Sequence, residues 1–282
     1  MTGAATRSLK PATRSPKPAI RSPKPARPVE IELKYRPVSV AAGERYLALD
    51  EIAGLAATRT RTRTVHLEDR YLDTADGALA AAGFAARLRA TATSTVISVK
   101  STARRSTEHG PYRREELEGP ADRTSAPRGW PASAARSLIL ELCGDAPLVE
   151  LVTLRQLRRK RELRAPDWVL EVSLDEVEVV ARSKVVEGFV ELEVELVRGS
   201  EDGLATVARV LDADPELHAS HVSKLEAALS AVRDRDPALE AGPADQAPDT
   251  APDVGPRSLP CSSESRRACW RRTRWPRQAA RS

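Results

Sequence analysis

No stretch of this 282-residue chain approaches the ~18 consecutive apolar residues that a membrane-spanning helix needs, so a helical membrane protein is excluded. The basic N-terminus lacks an apolar core as well. Prolines follow its cations, and a cleaved secretion signal is not expected. Cysteine is scarce: Cys143 stands alone in the body, and Cys261 and Cys269 have no His or Cys partner at zinc spacing. Neither a disulfide framework nor a zinc site is supported. These absences lead to the expectation of a cytoplasmic chain. Familiar catalytic signatures are missing too. There is no Gly-x-Ser-x-Gly elbow, no glycine-rich phosphate loop ending in Lys-Ser or Lys-Thr, and no His-Glu-x-x-His helix.

Net acidity is also missing from the whole-chain total, which is +5, but the charge is unevenly divided. Residues 1–28 carry seven basic groups and no acidic ones, and residues 233–282 carry ten basic and seven acidic groups, which leaves a net of −5 between 29 and 232. The body is acidic and its ends are basic. The first segment repeats RSLKPAT, RSPKPAI, RSPKPAR, in which proline blocks helix and ladder pairing while charge opposes collapse. It reads as a disordered leader, either a solvated extension or an arm laid on a polyanion. Residues 233–282 read as linker and unstructured tail. No specific nucleic acid and no membrane is expected as a partner.

What the body has in abundance is period-two alternation. VEIELKY, DRYLDT, FAARLRA, TVISVKS, YRREELE, LRQLRRKREL, WVLEVSLDEVEV and GFVELEVEL all read as strands. Helical patterns are fewer: SVAAGERYLALDEIAGLA, PASAARSLILEL, SEDGLATVARVLDA and SHVSKLEAALSAV, the last two each opening on a serine suited to N-capping. Few strands have a helix between them, which favours an antiparallel sheet or barrel over a parallel arrangement.

An antiparallel strand ordinarily turns its charged face to water. Here, however, the charged faces are dense throughout. Glu30, Glu32 and Lys34 share one face, as do Glu191, Glu193 and Glu195; Arg87 with Arg89, Lys100, Arg114 with Glu116, Arg158, and Glu171 with Asp175 behave likewise. Like charges 4 Å apart repel by about 4 kcal/mol at an effective dielectric near 20, so an enclosed carboxylate cluster needs cations. An eight-stranded closed sheet is about the size that holds one small ligand. Closed with the charged parity inward, it would bring carboxylates able to bind a hard divalent cation beside arginines and lysines able to bind phosphate. Lysine itself is rare, 8 against 37 arginines, and Lys34, Lys100 and Lys224 are three of only five in the body. His218 and His221 are spaced to share a helix face and read as surface histidines beside Glu216.

These residues resemble the CYTH superfamily, or triphosphate tunnel metalloenzymes, over about residues 29–230. EIELK carries the opening Glu-x-Glu-x-Lys at Glu30, Glu32 and Lys34. YLDTADGALAAAGFAARLR resembles the Tyr-x-Asp-Thr segment leading to paired arginines, here Arg87 and Arg89. VISVK, RREELEG and LRQLRRKREL resemble the following basic strands at Lys100, Arg114 and Arg158, where spacing to Leu163 favours Arg158 over Arg155 or Arg159. LEVSLDEVEV and FVELEVEL resemble the last strands, and HVSKLEAAL the terminal basic position at Lys224.

The resemblance implies a mainly β (α+β) fold, an eight-stranded antiparallel β-barrel tunnel with helices packed outside. It implies a triphosphate-bearing or polyphosphate substrate and Mg²⁺ or Mn²⁺, with Glu30, Glu32, Glu191 and Glu193 on the metal side. Arg87, Arg89, Lys100, Arg114, Arg158, Lys224 and Lys34 would bind substrate, Glu32, Lys34 and Glu193 would be catalytic, and Glu116 and Asp175 would orient arginines. The expected activity is a divalent-metal-dependent triphosphatase. A non-catalytic polyphosphate-binding module is the alternative, since many bacterial relatives carry a CHAD helical domain, whereas only a tail follows Arg233 here. A class IV adenylate cyclase is less favoured: RSPKPARPV stands where such cyclases have a His-Phe pair.

Overall fold

A computed structural model describes residues 27–48, 58–103, 111–123 and 126–235. The leader (but for its last two residues), the tail beyond Arg235, Cys261, Cys269 and the end of the first expected helix lie outside the described residues. Ten strands form one antiparallel sheet: β1 (Val29–Pro37), β2 (Thr58–Arg59), β3 (Arg63–Thr74), β4 (Phe84–Ala90), β5 (Thr95–Ser101), β6 (Tyr112–Pro120), β7 (Leu148–Arg164), β8 (Trp168–Ala181), β9 (Lys184–Gly199) and β10 (Leu217–Ala219). Eight of them run in the order β1, β6, β5, β4, β3, β7, β8, β9, and β9 pairs back onto β1. The sheet is therefore a closed eight-stranded barrel. The two short strands are accessory, β2 extending β7 and β10 lying on β1 beyond the point where β6 leaves it.

The alternating pattern is resolved in an inverted sense, with the apolar parity facing outward onto helices. Leu33, Tyr35, Leu170, Val172, Leu174, Leu192 and Val194 form one buried cluster with α1 (Val40–Ala48) and α4 (Asp202–Asp212). Leu72, Ala86, Leu88, Ile97 and Val99 form a second with α2 (Ala78–Ala81) and α3 (Ala134–Cys143). Two glycines allow the close approach of the first pair of helices. A Cβ on Gly43 would stand 2.3 Å from Leu174 Cδ1, and one on Gly203 would stand 2.6 Å from the Trp168 ring. A third cluster lies on the inward parity at one end. There α5 (Lys224–Arg235) packs Ala228, Leu225 and Leu229 against Tyr71, Leu154, Val177 and Phe189, filling that end of the barrel with apolar side chains.

Local chemistry sets the element ends. Ser133 caps α3 by accepting the Arg136 N–H, and Gly144, at φ 58°, closes it. The short α2 is absent from the sequence expectations. It exists because the Asp73 carboxylate accepts the N–H groups of Leu79 and Ala80 at 2.8 and 3.0 Å. At α5 the cap is Ser223, which accepts the Glu226 N–H while Glu226 accepts the Ser223 N–H, not the expected Ser220. Ser220 is still tied to the sheet, donating its N–H to Lys34 O. For the same reason His218 and His221 share no helix face: His218 is in β10, and His221 follows it. Among the described residues no helix is long and apolar enough to cross a membrane.

Candidate active site

Register alone carries the charged residues into the lumen. Residues opposite one another on paired strands share a face, and the register pairs Glu30 with Arg114, Glu32 with Glu195, Lys34 with Glu193, Lys100 with Glu116, Arg158 with Asp175, and Asp175 with Glu191. Arg155 and Arg159 have the opposite parity, and Arg159 meets Glu44 and Glu176 on the outside. A cavity of about 420 Å³ results, lined by Glu30, Glu32, Lys34, Arg87, Arg89, Lys100, Arg114, Arg158, Glu193 and Lys224. All the expected site residues except Glu191 thus meet at one cavity.

Its deepest part is a lattice of alternating charge. Lys224 reaches Glu191, Glu193 and Asp175 at 2.6, 2.8 and 3.0 Å. Lys34 donates to Glu193 at 2.8 Å and lies 3.4 Å from Glu32. Burial opposes the charge on both lysines, but the surrounding carboxylates win and hold both ammonium groups above their usual range. Glu191, fully buried, is enclosed by Lys224, Arg36 at 3.0 Å and Lys34 at 3.8 Å, and does not line the cavity. Arg158 forks onto Asp175 at 2.7 and 2.6 Å and touches Glu193 at 2.8 Å.

Further along, Lys100 donates to both oxygens of Glu30 at 2.8 Å, while Arg114 binds Glu30 at 2.9 Å and Glu32 at 2.7 Å. Burial would raise the Glu30 pKa, yet Lys100 and Arg114 bring it down to about 2. Lys100 itself is lowered by burial and by neighbouring Arg87. The Arg87 side chain is 11% exposed and donates Nη2 to Ser98 Oγ at 3.3 Å; among the described residues no carboxylate is closer than 3.8 Å and its buried Nε has no hydrogen-bond partner. A guanidinium with an unmet buried donor suits an anionic ligand.

Glu195 is the opposite case. It lines the cavity beside Glu30 and Glu32, has no ion pair among the described residues, and is pushed up to about 7 by burial and by those two carboxylates. Glu171, next to it across the β8–β9 register, is neutralised by Lys160 at 2.7 Å. Among the described residues no group of three or more acidic, imidazole or thiol side chains stands converged as a ready metal cage, because Glu30 and Glu32 lean onto their cations. The donor set is nevertheless all hard oxygen, and one carboxylate, Glu195, has no ion pair among the described residues, which fits a divalent ion of the Mg²⁺ or Mn²⁺ type.

Several groups in or behind the cavity lining received no site role from the sequence. Glu195 was visible as the third acid of Glu-x-Glu-x-Glu. Asp69 and Gln156 carried no signal, since each sits singly within a strand pattern. Lys160, Tyr112 and His221 also line the cavity, the last two with ring centres 5.4 Å apart.

The CYTH-domain family model matches residues 29–229. The chain belongs to the CYTH family. A search of curated proteins finds no significant match. Among solved structures, the CYTH chain is similar to HpAC1 from Hippeastrum, described as an adenylyl cyclase candidate with a dominant triphosphatase activity. Identity is 22%, coverage 72% of this chain and 96% of that one, and the TM-score 0.49. It is also similar to an adenylate cyclase candidate from Bacillus halodurans, at 16% identity, 71% and 97% coverage and a TM-score of 0.45.

Proposed function

We propose that this CYTH domain is a divalent-metal-dependent phosphohydrolase that cleaves inorganic triphosphate or a related triphosphate-bearing substrate. One observation carries the reading: Glu195, an acid with no ion pair among the described residues, and Arg87, whose Nε has no partner among them, line the same cavity with the other carboxylates and cations. Glu30, Glu32 and Glu195 would hold the metal, with Glu193 behind them, and Glu191 acts instead as the buried partner of Lys34, Lys224 and Arg36. When bound, the metal supplies neutralisation of charge on the phosphate oxygens.

The remaining chemistry belongs to the chain. Arg87, Arg89, Arg114 and Arg158 present guanidinium forks to phosphate oxygens, and Lys100 adds a point charge. Glu30 stays ionised at neutral pH because Lys100 and Arg114 hold its pKa low, so the acidic wall keeps its charge when the substrate arrives. A carboxylate of that wall holds water in line with the terminal phosphorus. Asp175 fixes the Arg158 fork, which limits the reorganisation needed as charge develops.

Purified protein given sodium tripolyphosphate with Mg²⁺ or Mn²⁺ is expected to release orthophosphate, and Glu32→Gln to abolish release while leaving the circular dichroism spectrum unchanged. Full activity in Glu32→Gln removes the acidic wall from the reaction. Tight tripolyphosphate binding without turnover in the wild type would instead identify a binding module, and cyclic AMP formed from ATP a cyclase.

A further inference from the structure

We infer that Asp69, together with Gln156, is a positioning residue that presets Arg89 for the phosphate groups of the substrate. The inference rests on the phosphate-cleaving reading of the cavity and extends it to two residues that stand behind its lining.

Asp69 is fully buried on β3 at the lumen parity. Its Oδ1 accepts Arg89 Nε at 2.7 Å, and its Oδ2 accepts Arg89 Nη2 at 2.7 Å, a two-point fork. Gln156, from the strand on the other side of β3, donates Nε2 to the same Oδ2 at 2.6 Å. Arg87 Nη1 lies 3.8 Å from that oxygen. Burial would raise the Asp69 pKa, but Arg89 and Arg87 outweigh it and keep the carboxylate ionised far below the usual range. One buried charge is thus fixed from both neighbouring strands, β4 and β7.

Stability alone is a poor reason for this arrangement. Taking an ion pair out of water costs about as much as its attraction returns, so apolar residues of similar size would serve a core at least as well. The fork has another consequence. It consumes the Nε and Nη2 edge of Arg89 while both guanidinium groups line the cavity, with side chains 11% (Arg87) and 19% (Arg89) exposed. Arg87 is left with a buried Nε donor that no described group accepts. The carboxylate therefore orients Arg89 directly and adds only a nearby charge for Arg87, whose Nη2 donates to Ser98 Oγ at 3.3 Å, and the Arg87 Nε stays free for an arriving anion to complete. The same device stands on the next two strands, where Asp175 of β8 forks Arg158 of β7.

Removing the Asp69 charge should leave ground-state attraction for phosphate intact or stronger, because a competing anion is gone, while orientation is lost. Orientation errors act on kcat.

The experiment is a double-mutant cycle of Asp69→Asn and Arg89→Gln, read as tripolyphosphate hydrolysis and, without metal, as calorimetric binding of sodium tripolyphosphate. Asp69→Asn is expected to lower kcat by about 10- to 100-fold with KM equal or lower. In the Arg89→Gln background the same substitution is expected to have almost no further effect, because residues acting as a unit are non-additive. A purely structural Asp69 would instead lower the folded fraction and give the same factor in both backgrounds, and that result overturns the inference, as does wild-type kcat in Asp69→Asn. If Asp69→Asn does not fold, Gln156→Met, which removes only the amide donor, takes its place in the same cycle with the same criterion. If the wild type binds tripolyphosphate but does not hydrolyse it, the hydrolase reading fails alone, and the cycle is read on the dissociation constant: binding that is equal or tighter in Asp69→Asn supports the clamp, and weaker binding rejects it. A wild type that neither binds nor cleaves overturns both.

Discussion

At the scale of single residues, Glu195 and Glu30 show how two acids in one cavity are driven apart. Lys100 and Arg114 bring Glu30 down to about 2; Glu195, with no ion pair among the described residues, is pushed up to about 7 by burial and by Glu30 and Glu32. A divalent ion entering beside Glu195 must therefore displace a proton below pH 7 and need displace none well above it. Calorimetric titration of Mg²⁺ in two buffers of different ionisation enthalpy is expected to report release of close to one proton at pH 6 and almost none at pH 8. In Glu195→Gln the release is expected to vanish and affinity to fall by at least about tenfold, the usual scale of one lost charge-assisted contact. Proton release that persists in Glu195→Gln would place the titrating group elsewhere. The sequence displayed Glu195 as the third member of an alternating acidic run, but not its isolation. Which acid is left without a partner depends on the neighbours across β1 and β8, and that information is in the register.

At the scale of elements, the period of two was enough to find all eight barrel strands, because most carry a run of apolar residues on one parity that must be buried somewhere. It could not say where. The apolar faces of β1, β8 and β9 look outward to α1 and α4, and a strand pattern is the same for either choice. Only the closure of β9 onto β1 turns the charged parity inward. The short pieces were unread for a different reason: α2, β2 and β10 are held by Asp73 or by pairing with a longer strand, not by a pattern of their own. The outward packing has a measurable consequence at Gly203, where an added Cβ would meet the Trp168 ring at 2.6 Å. Gly203→Ala is expected to destabilise the fold by about 1–3 kcal/mol, the usual range for overpacking. For a domain of this size that corresponds to roughly 2–10 °C in Tm. Because Trp168 lies outside the lumen, kcat at a temperature where the variant is folded should match the wild type. A fall in kcat at full folding would show that the outer layer and the cavity are coupled.

At the scale of the molecule, the barrel gathers its ionised groups into the interior, so stability without metal should depend on pH in a way set by the lumen. Glu30, Asp69, Asp175 and Glu193 are all lowered in the folded protein, burial being outweighed in each case by lysine or arginine. Between their folded values, about 2 for Glu30 and lower for Asp69, and the ordinary values of 4.5 for glutamate and 3.8 for aspartate, the unfolded chain binds more protons. Stability therefore rises with pH across that interval and is lost as pH falls through it. Glu195 and Glu116 behave in reverse, both raised chiefly by burial. From about 4.5 up to about 7 the folded state keeps a proton on Glu195 that the unfolded chain has released, so this group subtracts stability as pH rises. The two slopes have opposite sign and meet near pH 5. Thermal melts of the metal-free protein are expected to give the highest Tm close to pH 5, with a steep loss below pH 4 and a shallow decline toward pH 7. Saturating Mg²⁺ should remove the shallow decline, since an ion at Glu195 supplies the charge that the proton supplied, and should leave the acid limb in place. In Glu195→Gln the decline should be reduced or absent with or without Mg²⁺. A metal-free profile that climbs monotonically from pH 4 to pH 7 would mean that Glu195 has a counter-charge in solution, and the acidic wall would then need no ion.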